Sequence, residues 1–353
     1  MHGDPPTWSA YTNLGAGACA GPAGTVPTRA PARERSMMRR RWLQPAAAWP
    51  AALGARRAAA TAGLADNAEV SPSSHLRHLV SATRDLRSWP HAGLELTYLD
   101  TGGDDLPALV CLHAIGHGSG DFEAMAEAMR GRYRIIAPDW PGQGRSGPAS
   151  SAPGVRAYAE ILQAFVDALQ LPRLALVGNS VGGGAALLYA ARHPQRVRAL
   201  VVANPAGLDE GGFLGRMVTR WMSRRFAAAE REPETFQAWF ARYYAQVLTG
   251  EAAWAQRQRI VASGLEIAPL LVQAWQGFAD PDNDIRRELP GLQMPVLVTW
   301  ARQDRLVRWS RNRKAIELIA RRQVELFEAG HTPFLEDPAK FVSIVEPFLA
   351  GAA

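Results

Sequence analysis

The sequence predicts an α/β fold, a mostly parallel central sheet with helices on both faces, interrupted by an all-helical insertion near 207–290. Three observations carry this. From about His75 onward, short apolar runs alternate with segments of helical periodicity. Between 207 and 290 the alternation stops and apolar residues recur only at helical spacing. At 295–299 a strand-like run, Pro295-Val296-Leu297-Val298-Thr299, restarts the alternation.

The elements follow in order. Residues 94–99 alternate and read as a strand, and 108–112 are continuously apolar, as a strand buried on both faces would be. A short helix is expected over 121–129 and a strand over 134–137. Residues 155–169 form an amphipathic helix, 174–177 a buried strand, 180–192 a helix of small residues, and 197–203 another buried strand. After the insertion come a strand over 295–299, a helix over 309–320, a strand over 324–327 and a last helix over 338–349. Within the insertion, Phe236, Trp239, Phe240, Tyr243, Tyr244 and Val247 fall at i, i+3, i+4, i+7, i+8 and i+11, and Ile267, Leu270, Leu271, Ala274, Trp275 and Phe278 repeat that spacing. Phe213, Met217 and Trp221 run beside Leu214, Val218 and Met222. Most of these stripes are expected to pack on each other and on the sheet. A surplus, with Trp239, Tyr243 and Trp275 as candidates, is expected to line a dry pocket beneath a lid.

The organisation expected is a tail over 1–75, a core of 76–206 with 291–353, and a helical cap over 207–290. The tail has 19 Ala, 8 Pro and 7 Gly, but only six residues among Leu, Ile, Val and Phe, too few to offset the entropy of ordering it. Within it, Arg39-Arg40-Arg41 precedes an apolar run as in a signal peptide, but Gln44, Pro45 and Pro50 interrupt the stretch near 38–60 and Arg56-Arg57 follows it. A cytoplasmic chain is therefore expected. The 353 residues have a net charge of +6, yet the tail holds eight arginines against four acidic residues, so the remainder is close to neutral. That excludes a basic nucleic-acid-binding domain. No apolar run is long enough to span a membrane. Two cysteines, Cys19 and Cys111, exclude a disulfide framework.

The chemistry concentrates in Leu174-Ala175-Leu176-Val177-Gly178-Asn179-Ser180-Val181-Gly182-Gly183-Gly184-Ala185, a buried strand running through Gly-x-Ser-x-Gly into a helix. A serine on such a turn needs small neighbours, and its hydroxyl stands above the sheet at the positive end of the helix. A serine nucleophile needs a base. Of eight histidines, His331 follows the strand at 324–327 and so shares the sheet edge of Ser180. Asp304, just past the strand at 295–299, is the expected orienting acid, and Asp209 is a second possibility. The amides of Val181 and Ile115 are the expected oxyanion donors, and Asn179 is a further pocket candidate. His113 and His117 are four apart, but Gly116 and Gly118 argue for a loop rather than a metal-binding helix. Gly142-Gln143-Gly144-Arg145-Ser146-Gly147 matches Gly-x-Gly-x-x-Gly, yet Pro148 to Pro153 cannot open the helix that a dinucleotide site needs. No cofactor and no metal are expected.

With Leu112-His113-Ala114-Ile115-Gly116, Asp139-Trp140-Pro141-Gly142-Gln143-Gly144-Arg145-Ser146, Gly178-Asn179-Ser180-Val181-Gly182-Gly183, Trp300-Ala301-Arg302-Gln303-Asp304 and Gly330-His331 in place, the chain resembles the α/β-hydrolase superfamily, in its lid-bearing members, over roughly 92–350. The resemblance implies a structural turn for Asp139 to Ser146. Asn179 and Asn204-Pro205-Ala206-Gly207-Leu208 also resemble the hydrolases that cleave carbon–carbon bonds of ring-fission products, although Thr332 stands where those enzymes usually carry Trp. The expected activity is hydrolysis of a small, largely apolar acyl substrate through Ser180, His331 and Asp304. Carbon–carbon cleavage of diketone acids is the alternative reading, and a non-catalytic ligand receptor on the same fold stands behind it.

Overall fold

The computed structural model describes residues 85–148, 152–209 and 211–352. The expected tail at 1–75, with its signal-like stretch, Cys19 and the histidines 2, 75 and 78, lies outside them. In chain order the strands are β1 (Leu86–His91), β2 (Leu94–Asp100), β3 (Ala108–Leu112), β4 (Arg134–Pro138), β5 (Leu174–Asn179), β6 (Val197–Ala203), β7 (Val296–Ala301) and β8 (Arg322–Phe327). The helices are α1 (Glu123–Ala128), α2 (Val155–Ala168), α3 (Val181–Arg192), α4 (Gly212–Ala227), α5 (Pro233–Val247), α6 (Trp254–Ala262), α7 (Gly264–Gly277), α8 (Trp309–Ile316), α9 (Pro333–Glu336) and α10 (Pro338–Gly351).

Among the described residues the strands form one sheet in the order β1-β2-β4-β3-β5-β6-β7-β8. From β4 to β8 every pairing is parallel, and β1 and β2 are antiparallel at one edge. β3, β5, β6 and β7 are buried at every position, which is why they read as unbroken apolar runs. β1 is the strand that the sequence does not announce. Four of its six residues are exposed and it contains Pro90, so neither alternation nor propensity marks it. At a sheet edge the missing N–H of Pro90 leaves no ladder bond unmade. Ala92 and Gly93, both at positive φ, close the two-residue turn into β2.

Each face of the sheet has its own apolar layer. Leu162, Phe165, Leu188, Trp300 and Ile316 belong to one; Phe122, Met125, Phe327, Phe341 and Leu349 belong to the other. Chain order reverses between β3 and β5, a switch point that leaves a crevice at the carboxyl ends of the strands. The four helices α4 to α7 between β6 and β7 gather a third layer around Phe226, Phe236, Phe240, Tyr244, Ile267 and Leu271. One stripe departs from the expected packing. On α4, Met222 and Phe226 are buried, but Phe213, Leu214, Met217, Val218 and Trp221 are exposed. The apolar girth of α4 exceeds what its neighbours cover.

Among the described residues no helix is long and apolar enough to cross a membrane.

Candidate active site

Ser180 sits between β5 and α3 with φ 53° and ψ −121°, a conformation that costs a non-glycine residue on the order of 1–3 kcal/mol. The surroundings hold it there. Its N–H donates to the Ala203 carbonyl at 3.0 Å, and its carbonyl accepts from Gly184 N–H at 2.9 Å and Ala206 N–H at 2.8 Å. A Cβ on Gly178 would lie 2.6 Å from the Gly182 oxygen, and one on Gly182 would lie 2.5 Å from the Leu112 oxygen. Only glycine lets the turn close and α3 pass so near β3.

His331 Nδ1 meets Asp304 Oδ2 at 2.7 Å with both side chains buried. A carboxylate there fixes the proton on Nδ1 and leaves Nε2 as the acceptor. The other Asp304 oxygen accepts from the N–H groups of Leu306 at 2.7 Å and Val307 at 3.0 Å. Asn204 Nδ2 also donates to Asp304 Oδ2, at 2.5 Å, while Asn204 Oδ1 accepts from Ala301 N–H at 3.0 Å. Burial pulls the His331 pKa down, but the charge and hydrogen bond of Asp304, helped by the charge of Glu336, more than reverse this, and the net direction is upward. Asp209, the alternative acid, is exposed and pairs instead with Arg311 at 3.5 Å.

Glu336 organises the His331 loop, which the sequence reading missed. Its carboxylate accepts from the N–H groups of Gly330 at 2.8 Å, His331 at 3.0 Å and Thr332 at 3.1 Å. From the insertion it accepts from Thr249 N–H and Oγ1, both at 2.8 Å, and from Gly250 N–H at 2.9 Å. One carboxylate thus ties the insertion to the loop that carries His331. The available signal is a glutamate five residues after a strand-end histidine, at the close of the one-turn helix α9.

The loop after β3 is equally constrained. His113 Nδ1 donates to the Ala114 carbonyl at 2.7 Å and His113 Nε2 accepts from Trp140 N–H at 3.0 Å. Burial pushes its pKa down to about 4, against an upward pull from the Ala114 hydrogen bond. With both nitrogens engaged, His113 has no lone pair for a metal. His117 Nδ1 meets Asp121 Oδ2 at 2.7 Å, and Asp121 Oδ1 accepts from Gln256 of α6 at 2.7 Å. The Gly-x-Gly-x-x-Gly segment is a turn that clasps Asp139, which accepts from Ser119 N–H at 2.6 Å and Arg145 N–H at 3.1 Å. Burial raises the Asp139 carboxyl to about 6 despite those two donors. Any side chain at Gly144 would collide with it.

Ser180, His331 and Ile115 line one cavity of about 400 Å³, walled by Val155, Leu214, Val218, Met222, Phe226 and Leu271 among others. Of the pocket candidates, Tyr243 and Trp275 line it. Burial, with the nearby Asp304 charge adding to it, pushes the Tyr243 phenol up, so it stays a neutral hydroxyl. Asn179 and Trp239, expected to line the pocket, do not. Asn179 is fully buried; its amide donates to the carbonyls of Ala203 at 2.9 Å and His331 at 3.3 Å and accepts from Thr332 Oγ1 at 3.2 Å. It braces the His331 loop. Trp239, one helical turn before Tyr243, packs instead on Phe226 and Tyr243 beneath the Arg225 guanidinium.

A strained serine, a buried histidine–aspartate pair and a doubly covered parallel sheet define the class. Residues 107–338 match the family model of the alpha/beta hydrolase fold, and the chain belongs to that family of hydrolases. It is 31% identical over 268 residues to 2-hydroxymuconate semialdehyde hydrolase of Pseudomonas sp. (strain CF600), covering 72% of this chain and 91% of that one. It is 30% identical over 273 residues to 2-hydroxy-6-oxo-2,4-heptadienoate hydrolase of Pseudomonas putida, covering 73% and 94%. Among solved structures, a membrane phospholipase A described as a bacterial virulence factor superposes with a TM-score of 0.65 at 26% identity, covering 78% of this chain and 88% of that one.

Proposed function

We propose that the protein is a serine hydrolase that cleaves small, largely apolar carboxylic esters or related acyl compounds through an acyl-enzyme. Ser180 Oγ attacks the substrate carbonyl while His331 Nε2 takes its proton. Asp304 holds the imidazole in the required tautomer and stabilises its charged form. The amides of Val181 and Ile115 receive the oxyanion. Collapse of the tetrahedral adduct breaks the bond to the leaving group, which departs with the proton held on His331. Water, deprotonated by His331, then attacks the acyl-enzyme, and Ser180 leaves with that proton. The helices at 207–290 act as the cap, with Tyr243 and Trp275 against the acyl group. The observation that carries this reading is that Ser180, on a strained turn, and His331, hydrogen-bonded to buried Asp304, line one mostly apolar cavity.

A panel of p-nitrophenyl esters tests it. Each added methylene should improve kcat/KM about fourfold, from ~0.8 kcal/mol per CH₂, until the acyl chain fills the cavity. Flat selectivity across the panel would remove the enclosed acyl pocket. Carbon–carbon cleavage is the second reading, favoured by the 31% and 30% identities to the two Pseudomonas hydrolases. A vinylogous 1,5-diketone acid turned over far faster than any ester on the same preparation would establish it in place of the first.

A further inference from the structure

The insertion carries a surface that the hydrolytic site does not explain. On α4, Phe213, Leu214, Met217, Val218 and Trp221 are 48% to 74% exposed. Positions 213, 217 and 221 run beside 214 and 218, so the five make one stripe along the helix. Half of the ten large apolar side chains exposed among the described residues therefore lie on a single helix of 16 residues. Scattered exposed apolar residues need no explanation, but a stripe of this kind marks a surface that something covers. The inner side of α4 already has its partners, since Met222, Ser223 and Phe226 are buried.

Charge identifies what covers the outer side. α4 contains Arg216, Arg220, Arg224 and Arg225 and no acidic residue. Arg225 lies over the Trp239 ring. Arg216, Arg220 and Arg224 are exposed and, four residues apart, follow one flank of the stripe. We propose that this face docks on an anionic lipid bilayer, with α4 lying in the plane of the interface. An exposed apolar face flanked by arginines has the make-up of an interfacial helix. At ~1.5 Å per residue α4 is about 24 Å long, and with four arginines it lies on a bilayer and does not span it. Two other occupants fit worse. A second copy of α4 brings the same arginines and no carboxylate to meet them. The first 75 residues of this chain, with eight arginines and four acidic residues, carry the same sign.

The docking face is continuous with the cavity. Leu214 and Val218 belong to the exposed stripe and also line the cavity that holds Ser180, as do Arg308 and Arg311. With α4 on the bilayer, the cavity opens at the lipid surface, and an acyl group leaves lipid for protein without crossing bulk water. The docking itself is independent of which bond Ser180 cleaves.

Vesicle flotation of the full-length chain tests the proposal, with Ser180→Ala as background so that lipid is not consumed. The protein should float with vesicles of phosphatidylglycerol and phosphatidylcholine, far less with phosphatidylcholine alone, and less as salt rises. The combined Arg216→Gln, Arg220→Gln, Arg224→Gln variant should lose on the order of 100-fold in partitioning, from about fivefold per arginine near an anionic surface. The combined Phe213→Ser, Met217→Ser, Trp221→Ser variant should also detach. All six side chains are exposed and none lines the cavity, so in the active chain both variants should keep their melting temperature and their kcat/KM on a water-soluble ester. Absence of flotation with anionic vesicles, or flotation undiminished in both variants, would overturn the proposal. So would a dimer of the parent chain that dissociates in the apolar variant, because a second copy would then be the occupant.

Discussion

The cavity is bordered by two buried histidine–aspartate pairs of the same geometry. In both, Nδ1 meets a carboxylate oxygen at 2.7 Å, and both imidazoles line the cavity. Their settings differ. Asp304 is held by two backbone amides and by Asn204. Asp121 is held by Gln256, so that pair fastens the insertion to the loop after β3. A histidine–aspartate pair is therefore not diagnostic by itself. Under the proposed function, chemistry falls to the His331–Asp304 pair and fastening to the His117–Asp121 pair.

Substitutions can break this contrast. The largest effect should come from Ser180→Ala, which should lower kcat by about 10⁴–10⁶ with the fold retained, as for other triad nucleophiles. A variant keeping a tenth of the parent rate would take Ser180 out of the role. Asp304→Asn should lower kcat by about 10⁴ through the wrong imidazole tautomer. Asp121→Asn should cost under about tenfold in kcat and appear mainly as a lower melting temperature, because a buried hydrogen-bonded partner is weakened. Equal losses of kcat in the two variants would erase the distinction between the pairs.

The pH dependence sharpens it further. The net direction for His331 is upward from the ordinary histidine value. The base form is lost as pH falls, so the acid limb of kcat/KM should have its midpoint above ~6.5, the unperturbed histidine value. Asp304→Asn, which removes the carboxylate charge, should move what activity remains toward lower pH, while Asp121→Asn should leave the limb in place. For stability the sign runs the other way. The protonated pair contributes fully below the unfolded-state histidine pKa, and its contribution is lost as pH rises through the raised folded value.

Much of the candidate site was legible in the sequence because each proposed catalytic residue follows a strand. Ser180, Asp304 and His331 stand just beyond β5, β7 and β8; β5 and β7 are buried, mainly apolar runs, whereas in β8 four of six residues are exposed and only Val324, Leu326 and Phe327 mark the strand. The positions of Tyr243 and Trp239 were not separable. They lie four apart on one helical stripe, and periodicity gives the face of a helix but not which turn of it meets a cavity. Asn179 was misplaced for a related reason, since an amide before a nucleophile can serve a substrate or the backbone, and here Ala203, His331 and Thr332 use it. Asn204 and Glu336 were missed as supports because their partners are 100 residues away in one case and split between a loop and the insertion in the other. β1 was hidden by its exposure, which leaves no hydrophobic pattern to read.

Reaction of the full-length protein with a fluorophosphonate probe, followed by peptide mapping, tests the central claim most directly. One adduct per chain is expected, on Ser180, absent in Ser180→Ala and formed far more slowly in His331→Ala. An unlabelled folded protein beside a labelled control hydrolase, or an adduct on any other residue, would contradict it.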